Sequence, residues 1–591
     1  MNDLPDVIMC QKALYADDLL IWRKGKDMRQ LNRAINADLT TISAYCQLWK
    51  MEINTDKTVF GLFSLNNKVT ADQVKLRING QNLKHEEYPK YLGVELDRKL
   101  TLKEHLKELT KRASSRLNLL KHLSSLNWGA DKSTLRQLYV GYVRSVIDYS
   151  LPLQSIASQS SLSQVDKIQN QALRFISGAM RTTPTNACEI HTNTEPLDLR
   201  RQRSTVETFE RYLRLEETND NRKMATHWDP KTRIKKTSFM RETTKLLDKY
   251  NPPDNRSSMS TIRADPPYWK PSGTTIGTKL LDPSVNKSTP EPLLKTSALE
   301  TVDSYCDTPV HAYTDGSATN ATTNAGYGAL IKYNKEMKKI KLSGPCGKYS
   351  SNYDAERTAI EETLKQIHQD FSEGTITPGD VVIFSDSMSV LQALEGGGCR
   401  DDGNILRLVS KIHSAFEVRV TLQWVPGHAG VPGNEIADQL SKSGASMPQT
   451  NTSATFQTCK SILLSKCKKE WLNRWANADT GRLLYRYMEK PNPEDPVNLL
   501  PRGEQTLIFR ARTGHVVCNK HMNRLNPMWE PHCRHCDHHE ETIEHLLLHC
   551  PTLTALRTEL LPSPTDIHNT LYTDHNQLIC TCSFLRGALR C

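Results

Sequence analysis

Asp315, Glu356 and Asp386 occupy places where a metal-dependent reaction would need them. Asp315 ends the strand-like segment VHAYTDGSAT, and Asp386 ends a second such segment, DVVIFSDS. Glu356 lies on the apolar face of the helix predicted by NYDAERTAIEETLKQIHQDF, which is the face that should meet a sheet. Further on, Asn434 and Asp438 lie four residues apart in the helical pattern GVPGNEIADQLSK. Each acid alone would be a surface residue or a helix cap, as first-turn acids often are.

The elements around these acids follow a βββαβαβα order, and ligands gather at the strand ends of open sheets. Four carboxylates converging there would repel one another unless divalent cations neutralised them. Hard oxygen ligands favour Mg²⁺ or Mn²⁺, and two such ions suit cleavage of a phosphodiester. His428 lies in the glycine-rich PGHAGVPG and suits proton shuttling or product release. The alternative is a loop histidine without a role.

The rest of the chain divides into several predicted segments. The segments are short strands and helices at 1–100, a helical region at 101–215, a linker rich in Pro, Ser, Thr and Lys at 216–305, the strand–helix domain at 306–446, a helical region at 447–530, a Cys/His motif at 531–552 and a tail at 553–591. Within the linker, KLLDKY favours a short helix. At 591 residues the chain is too long for a single core.

Composition restricts the class of protein. The formal net charge is +11 and the sequence pI is about 8.8, which favours an anionic partner such as nucleic acid. No apolar run is long enough to span a bilayer, and Met1 begins no signal-peptide pattern. The 15 cysteines are therefore expected to be free thiols or metal ligands rather than disulfides.

A second candidate metal site lies in CRHCDHHEETIEHLLLHC. Three cysteines and a histidine with C-x2-C-x8-H-x4-C spacing suit a closed, structural tetrahedral zinc site. The predicted ligands are Cys533, Cys536, His545 and Cys550. The register stays open, because other histidines compete: His535, His538, His539 and His549. Three further cysteines have no assignment: Cys580, Cys582 and Cys591.

The motifs YTDGS, NYDAERTAI, FSDS and GHAGVPGNEIAD resemble ribonuclease H type 1 in order and spacing. The resemblance implies that Asp315, Glu356, Asp386 and Asp438 hold two Mg²⁺ or Mn²⁺ ions and that His428 assists. It also implies substrate binding by Gly316, Ser317 and Asn434. The expected reaction is endonucleolytic cleavage of the RNA strand of an RNA–DNA hybrid. The chain departs from some cellular members, which carry a basic protrusion that EGGGCRDDGNILRLVSKIHSAFE does not provide.

The stretch ALYADDLLIW resembles the metal-binding hairpin of reverse transcriptases. With NDLPD, MEINTDKTVFGLFS and YLGVELDRKLTLKEHLKEL, it is similar to the late palm of LINE-type, non-LTR retrotransposon polymerases. Asp17 and Asp18 would then be a vestigial magnesium site. Polymerisation also needs an earlier palm aspartate and fingers, and only sixteen residues precede Asp17, so we expect no polymerase activity from this chain.

The predicted fold is α/β. It contains a ribonuclease H-like, mixed five-stranded sheet with helices, preceded by a partial palm and a helical thumb, and followed by a small helical zinc module. The leading hypothesis is a hybrid-specific ribonuclease that binds RNA, DNA and their hybrid, with no membrane partner. The alternatives are a decayed nucleic-acid-binding remnant and another nuclease or transposase of the same fold. The resemblance implies intracellular action, with the nucleus as the expected compartment.

Overall fold

The computed structural model describes residues 3–229, 237–259, 273–285, 289–396, 403–537, 539–561 and 566–589. The chain forms two compact units. The first comprises residues 1–205, 235–242 and 468–591, and the second comprises residues 206–234 and 243–467. No helix within the described ranges is both long and apolar enough to cross a membrane.

The N-terminal part of the first unit begins with short strands, which are β1 Gln11–Tyr15, β2 Asp18–Trp22, β3 Val59–Phe60, β4 Arg77–Ile78, β5 Gln81–Asn82, β6 Lys84–His85, β7 Lys90–Tyr91 and β8 Val94–Glu95. They pair only in twos, as in the antiparallel hairpin β1–β2. The helices of this stretch are α1 Met28–Leu48, α2 Lys103–Leu123, α3 Lys132–Leu138, α4 Ser145–Asp148, α5 Leu151–Gln154, α6 Gln159–Ser177, α7 Thr185–Thr192 and α8 Leu197–Leu213.

Helices α2 and α6 carry the main core of the first unit. Apolar residues recur along each helix at a spacing of three or four, so each presents one continuous apolar stripe. Buried leucines of α2, such as Leu109 and Leu117, lie in one cluster with Val165 and Leu173 of α6. Helices α2 to α8 therefore occupy the region in which the apolar period predicts helices.

The second unit contains the remaining strands and several helices. They are α9 Asp220–Thr226, α10 Phe239–Tyr250, β9 Thr274–Gly277, α11 Glu291–Asp303, β10 Val310–Thr319, β11 Thr323–Tyr333, β12 Lys338–Gly347, α12 Asn352–Ser372, β13 Val381–Ser385, α13 Met388–Glu395, α14 Gly403–Phe416, β14 Val420–Trp424, α15 Pro432–Ser446 and α16 Phe456–Ala476. Helix α10 contains the KLLDKY segment, where the sequence favours a short helix.

The fold class is α/β, as predicted, but the sheet has six strands rather than five. Their order is β12-β11-β10-β13-β14-β9. Strands β12, β11 and β10 are antiparallel neighbours, and β10, β13, β14 and β9 run parallel. The extra strand, β9, comes from the predicted linker and pairs with β14 from Thr274 to Gly277. The linker prediction missed it because four residues carry too short a pattern to stand out from Pro- and Ser-rich neighbours.

Helices cover both faces of this sheet. On one face, apolar residues of α12, α13 and α14 pack against alternate residues of β10, such as Val310 and Ala312. On the other face, Ala298 of α11 and Ala437 of α15 pack with Tyr313. Because successive residues of a strand point to opposite faces, Asp315 belongs to the face covered by α15.

The C-terminal lobe, residues 482–589, belongs to the first unit and is helical. Its helices are α17 Arg482–Tyr485, α18 Arg502–Thr513, α19 Asn519–Leu525, α20 Thr554–Leu560, α21 Ile567–Leu571 and α22 His575–Leu589. Leucines and Phe584 of α22 form a core with Ile508 of α18. Cys533 and Cys550 lie in the same core, and Cys536 packs against it.

Candidate active site and metal centres

Asp315 lies on β10 with its side chain between the sheet and α15. The residue is only 7% exposed. The hydroxyl of Ser441, itself buried on α15, donates a hydrogen bond to Asp315 Oδ2. A serine within a helix carries no signal of its own, so the sequence does not predict this contact.

Glu356 is positioned by the start of α12. Ser351 and Asp354 form a capping box, in which each side chain accepts a 3.1 Å hydrogen bond from the backbone N–H of the other. The helix start also passes very close to β10, since a Cβ on Gly316 would lie 2.1 Å from the backbone nitrogen of Glu356. Only glycine permits this approach, and the Gly316 N–H donates to the Glu356 carboxylate.

Asp386 follows directly after β13, at the strand end that lies beside Asp315 in the parallel pair. Its carboxylate Oδ2 lies 3.4 Å from Nδ2 of Asn434, a buried residue of α15. Its backbone carbonyl accepts a hydrogen bond of 3.3 Å from Trp424 Nε1. Asn434, predicted to bind substrate, therefore contacts a candidate metal ligand directly.

These three acids, called the acid cluster below, each offer an oxygen within 4.8 Å of the others. Burial raises the pKa of Asp315 to about 6, and the charges of Asp386 and Asp438 add to the effect. Burial and the two neighbouring aspartates raise the pKa of Glu356 well above its usual range. Burial also raises the pKa of Asp386. Removing carboxylates from water beside one another costs free energy that a divalent cation would offset.

One oxygen gives a direct test of whether a cation fits. Glu356 Oε2 is buried and has no hydrogen-bond partner among the described residues. A buried acceptor without a donor is unfavourable, and a hard cation shared with Asp315 and Asp386 would satisfy it. The donor set of the acid cluster thus suits a divalent ion with oxygen ligands.

Asp438 and His428 are the two predicted catalytic residues that lie outside the acid cluster. Asp438 belongs to α15, and its Oδ2 forms a 2.7 Å ion pair with Nζ of Lys442 one turn along the helix. Its charge still acts on Asp315 and raises the pKa of that residue. His428 is exposed in the loop before α15, with a left-handed φ of 54°. Gly316 and Ser317 lie beyond Asp315 on β10 and are half-buried.

Lys295 on α11 was not foreseen, because it falls in the predicted linker. Its Cε and Nζ lie 2.9 and 3.0 Å from the position that a Cβ would take on Gly430, in the loop that carries His428. The side chain is exposed, and no acid pairs with it among the described residues. Helix α11 is held in place by Leu281, whose N–H donates to Thr301 Oγ1 at 2.9 Å.

The arrangement of acids agrees with a family match. Residues 307–446 match the family model for RNase H. The chain carries an RNase H domain. It includes the acid cluster, the loop of His428 and helix α15, whereas β9 and α11 precede the matched residues.

Relatives of the chain link this RNase H domain to retrotransposons. The chain is 31% identical over 166 residues to the probable RNA-directed DNA polymerase from transposon BS of Drosophila melanogaster, and this match covers 28% of the chain and 18% of that protein. It is 27% identical over 149 residues to the ribonuclease H of Brucella ovis, covering 23% of the chain and 88% of that protein. Together with the other mobile-element relatives, these matches confirm the predicted likeness to LINE-type polyproteins.

The chain spans only 18% of the length of the transposon BS protein and 25% of that of the RNA-directed DNA polymerase from mobile element jockey of Drosophila melanogaster. Among solved structures, RNase H1 from Halobacterium salinarum NRC-1 is 20% identical, with a TM-score of 0.19. That alignment covers 23% of this chain and 96% of the archaeal one.

Asp17 and Asp18 lie at the tip of the hairpin β1–β2, well separated in sequence from the RNase H domain. The register pairs Tyr15 with Asp18, and Ala16 has a left-handed φ of 53°. Both acids are exposed. No third acid or histidine groups with them in the described part of the chain. The vestigial magnesium site stays a prediction.

The four predicted zinc ligands come together in the C-terminal lobe. Their ligand atoms all lie within 4.8 Å of one another, and we call the group the Cys/His cluster. The sulfurs of Cys533 and Cys550 are 3.8 Å apart, and Cys536 Sγ lies 3.4 Å from His545 Nε2. Ligands about 2.0–2.3 Å from one tetrahedral zinc ion would be separated by similar distances.

The structure also distinguishes the competing histidines. His545 is buried within the Cys/His cluster, whereas His549 and His539 are exposed. The Nε2 atom of His535 lies 2.8 Å from the carbonyl oxygen of Ala588. His538 and Cys591 lie outside the described residues. Cys580 and Cys582 are on α22 and do not join the cluster.

Proposed function

We propose that the RNase H domain cleaves the RNA strand of RNA–DNA hybrids endonucleolytically and requires divalent cations. The observation that carries the proposal is the convergence of buried Asp315 with half-buried Glu356 and Asp386, all with raised pKa values. Such a group is unfavourable for stability alone, and strongly perturbed acids gather at functional sites.

Asp315, Glu356 and Asp386 would hold the ions, proposed to be two Mg²⁺ or Mn²⁺. Bound ions of this kind activate a water and stabilise the leaving oxygen of a phosphodiester. The chain supplies the positioning. The Ser441 hydroxyl fixes Asp315, the Gly316 N–H fixes Glu356 and the Asn434 amide fixes Asp386.

His428 and Asp438 would act from the rim of the acid cluster. The exposed imidazole is free to exchange a proton with the leaving oxygen, and the loop that carries it is rich in glycine. Asp438 contributes negative charge close to Asp315. Selectivity for a hybrid would come from reading 2′-hydroxyls on one strand and accepting deoxyribose on the other. Ser317 and Gly316, half-buried beside Asp315, are the proposed contacts.

A substrate panel tests this proposal. The full chain is given an RNA–DNA hybrid, duplex DNA and duplex RNA of one sequence in Mg²⁺, Mn²⁺ or neither. We expect cleavage of the RNA strand of the hybrid alone, and only with a divalent ion. Asp315→Asn should abolish it, whereas Asp380→Asn should not, because Asp380 pairs with Arg419 and precedes the opposite end of β13.

Other results of the panel separate the rival functions. Cleavage of duplex DNA would indicate a different nuclease or transposase of the same fold. Tight binding of the hybrid without cleavage would indicate a decayed binding remnant. Cleavage that persists in Asp315→Asn would contradict the assignment of the acid cluster.

For the Cys/His cluster we propose a structural Zn²⁺ ion. Three thiolates and one imidazole leave no open position for a substrate, which is the arrangement of structural sites. Metal analysis of the purified chain should find one zinc per molecule, and Cys533→Ser should lose it. Retention of zinc in that variant would contradict the ligand set.

A further inference from the structure

A cavity of about 340 Å³ opens in the C-terminal lobe, and none of the proposed metal ligands lines it. This volume is at the lower end of the range for ligand pockets. The lining combines apolar side chains of α21, Ile567 and Leu571, with the basic side chains of Arg486 and Arg524. The cavity thus offers both an apolar surface and positive charge.

Two buried histidines, His515 and His521, also line the cavity. Their ring centroids are 4.9 Å apart in an edge-to-face arrangement. Thr182 Oγ1 lies 3.1 Å from His515 Nδ1 and 3.3 Å from His521 Nε2. A hydroxyl has one hydrogen, so at least one ring nitrogen must donate to it. The second nitrogen of each ring has no hydrogen-bond partner in the described part of the chain.

The charges that act on this pair are positive. Burial lowers the pKa of His515 to about 4, and the positive charges of His521 and Arg524 add to this. Burial and Arg524 lower the pKa of His521 as well. With lowered pKa values the two rings are neutral at pH 7, so they offer N–H donors, and the positive charge available to an anion comes from Arg486 and Arg524.

Two other basic residues at the cavity, Arg512 and Lys520, are already paired. Arg512 Nη1 lies 2.6 Å from Asp495 Oδ2, and Lys520 pairs with Glu540. Arg486 and Arg524 are exposed, and neither has an acidic partner within the described residues. The lining includes one acid, Glu544, among four Lys and Arg residues. The unpaired arginines, with the histidines, are therefore available to bind a phosphate.

The rest of the lining points to a ligand larger than phosphate. The hydroxyl of Tyr572 is buried and has no hydrogen-bond partner among the described residues. Beside it lies Tyr487, with ring centroids 4.9 Å apart. Aromatic and apolar walls suit a nucleobase, which stacks on such side chains.

We propose that this cavity binds one nucleotide of a single-stranded nucleic acid. Its phosphate contacts Arg486, Arg524 and the histidine pair, and its base lies against Tyr487 and Tyr572. A strand suits the site better than a free mononucleotide, because the exposed arginines also reach flanking phosphates. The chain is basic, and the inference rests on the proposed function, in which the RNase H domain of the same chain acts on nucleic acid.

Site-directed cross-linking of the full chain tests the proposal. Short single-stranded RNA and DNA that carry a photoreactive thio-base are irradiated with the protein, and cross-linked peptides are identified by mass spectrometry. We expect cross-links at Tyr487 or Tyr572. The double variant Arg486→Gln, Arg524→Gln should lose these cross-links and about tenfold in affinity, measured by fluorescence anisotropy.

Lys490→Gln is the matched control, since Lys490 is exposed nearby but does not line the cavity. Its affinity should change less than about twofold. Cross-links found only outside the C-terminal lobe, or full affinity in the double variant, would overturn the proposal. Competition distinguishes the source of the phosphate. The assignment to a strand would be overturned if a mononucleotide or inorganic phosphate displaced the bound strand as effectively as free strand does.

Discussion

The acid cluster and the Cys/His cluster have ligand atoms at similar spacing but differ in their surroundings. Each keeps its ligand atoms within 4.8 Å of one another. The acid cluster lies at the end of a sheet whose apolar cores are complete without it. By contrast, Cys533 and Cys550 are themselves part of the core of the C-terminal lobe, beside Leu546 and Leu547.

This difference indicates what each metal would do. Around the acid cluster, the fold holds the ligands close together at a cost in stability, and an ion bound there would take part in the reaction. Around the Cys/His cluster, the ligands Cys533 and Cys550 are themselves part of the apolar core, so an ion would hold the fold. The comparison can be tested by removing one ligand from each cluster and measuring stability and activity together.

The largest effect is expected from Cys550→Ser. Structural zinc sites contribute about 10–16 kcal/mol of apparent binding free energy in small domains. The variant should lose zinc, and the C-terminal lobe should unfold at a lower temperature, as followed by hydrogen exchange. Hybrid cleavage should remain. Cys580→Ser, on α22 but outside the cluster, should keep its zinc. A stable, zinc-free lobe would remove the contrast between the two clusters.

Glu356→Gln should have the opposite effect on stability. Burial and two aspartates raise the pKa of Glu356, so folding at neutral pH must bury a charge or take up a proton. Glutamine requires neither. Without divalent ions, the variant should be more stable by about 1–2 kcal/mol, and cleavage should fall by about 10³-fold.

The gain in stability of Glu356→Gln should depend on pH in a defined direction. The pKa of Glu356 is raised in the folded protein. The free-energy penalty of burying its charge therefore exists above the ordinary pKa of 4.5 and disappears below it. Thermal melting of both proteins at pH 7 and near pH 4 measures this. A destabilised Glu356→Gln at pH 7 would mean that the acid supports the fold, which contradicts the comparison.

Removal of a supporting hydrogen bond should have a smaller effect. Ser441→Ala deletes the donor to Asp315 and should lower kcat about tenfold, the equivalent of about 1.4 kcal/mol. Ser446→Ala is the control, because its hydroxyl bonds only to the Lys442 carbonyl of the same helix. Equal rates in the two variants would mean that Asp315 needs no positioning.

The smallest effect is expected at Lys295. Its ammonium lies over the loop of His428, where a phosphate of the substrate would pass. Lys295→Gln should raise KM about threefold, leave kcat unchanged and reduce the salt dependence of binding by about one unit of slope. Lys335→Gln, exposed in the turn after β11, is the control. A fall in kcat alone would contradict a role in substrate binding.

The sequence predicts much of this architecture. Asp386 is predicted at a strand end, because a buried run of apolar residues stops there, and the apolar stripe of α12 places Glu356 toward the sheet. The predicted strand end at Asp315 is wrong, since β10 stays paired with β11 as far as Thr319. The spacing of Cys533, Cys536 and Cys550 is equally readable, since a CxxC knuckle brings two thiols together.

Other features depend on contacts between distant segments and could not be read locally. Asp438 pairs with Lys442 one turn on, and its absence from the acid cluster depends on side-chain placement that local spacing does not determine. Ser441 matters only because α15 crosses β10 at that residue. Helix α11 and β9 were assigned to a linker, since their stability comes from packing on the sheet rather than from a strong period of their own.

Strand β9 has a practical consequence for anyone who isolates the RNase H domain. A recombinant fragment cut to residues 307–446, the bounds of the family match, would lose this strand and leave the backbone groups of β14 open to solvent. An uncovered parallel edge is a template for pairing with another chain. A fragment that starts upstream of Thr274 keeps the sheet closed at that side and retains Lys295, so it is the better starting point for crystallisation and for enzymology.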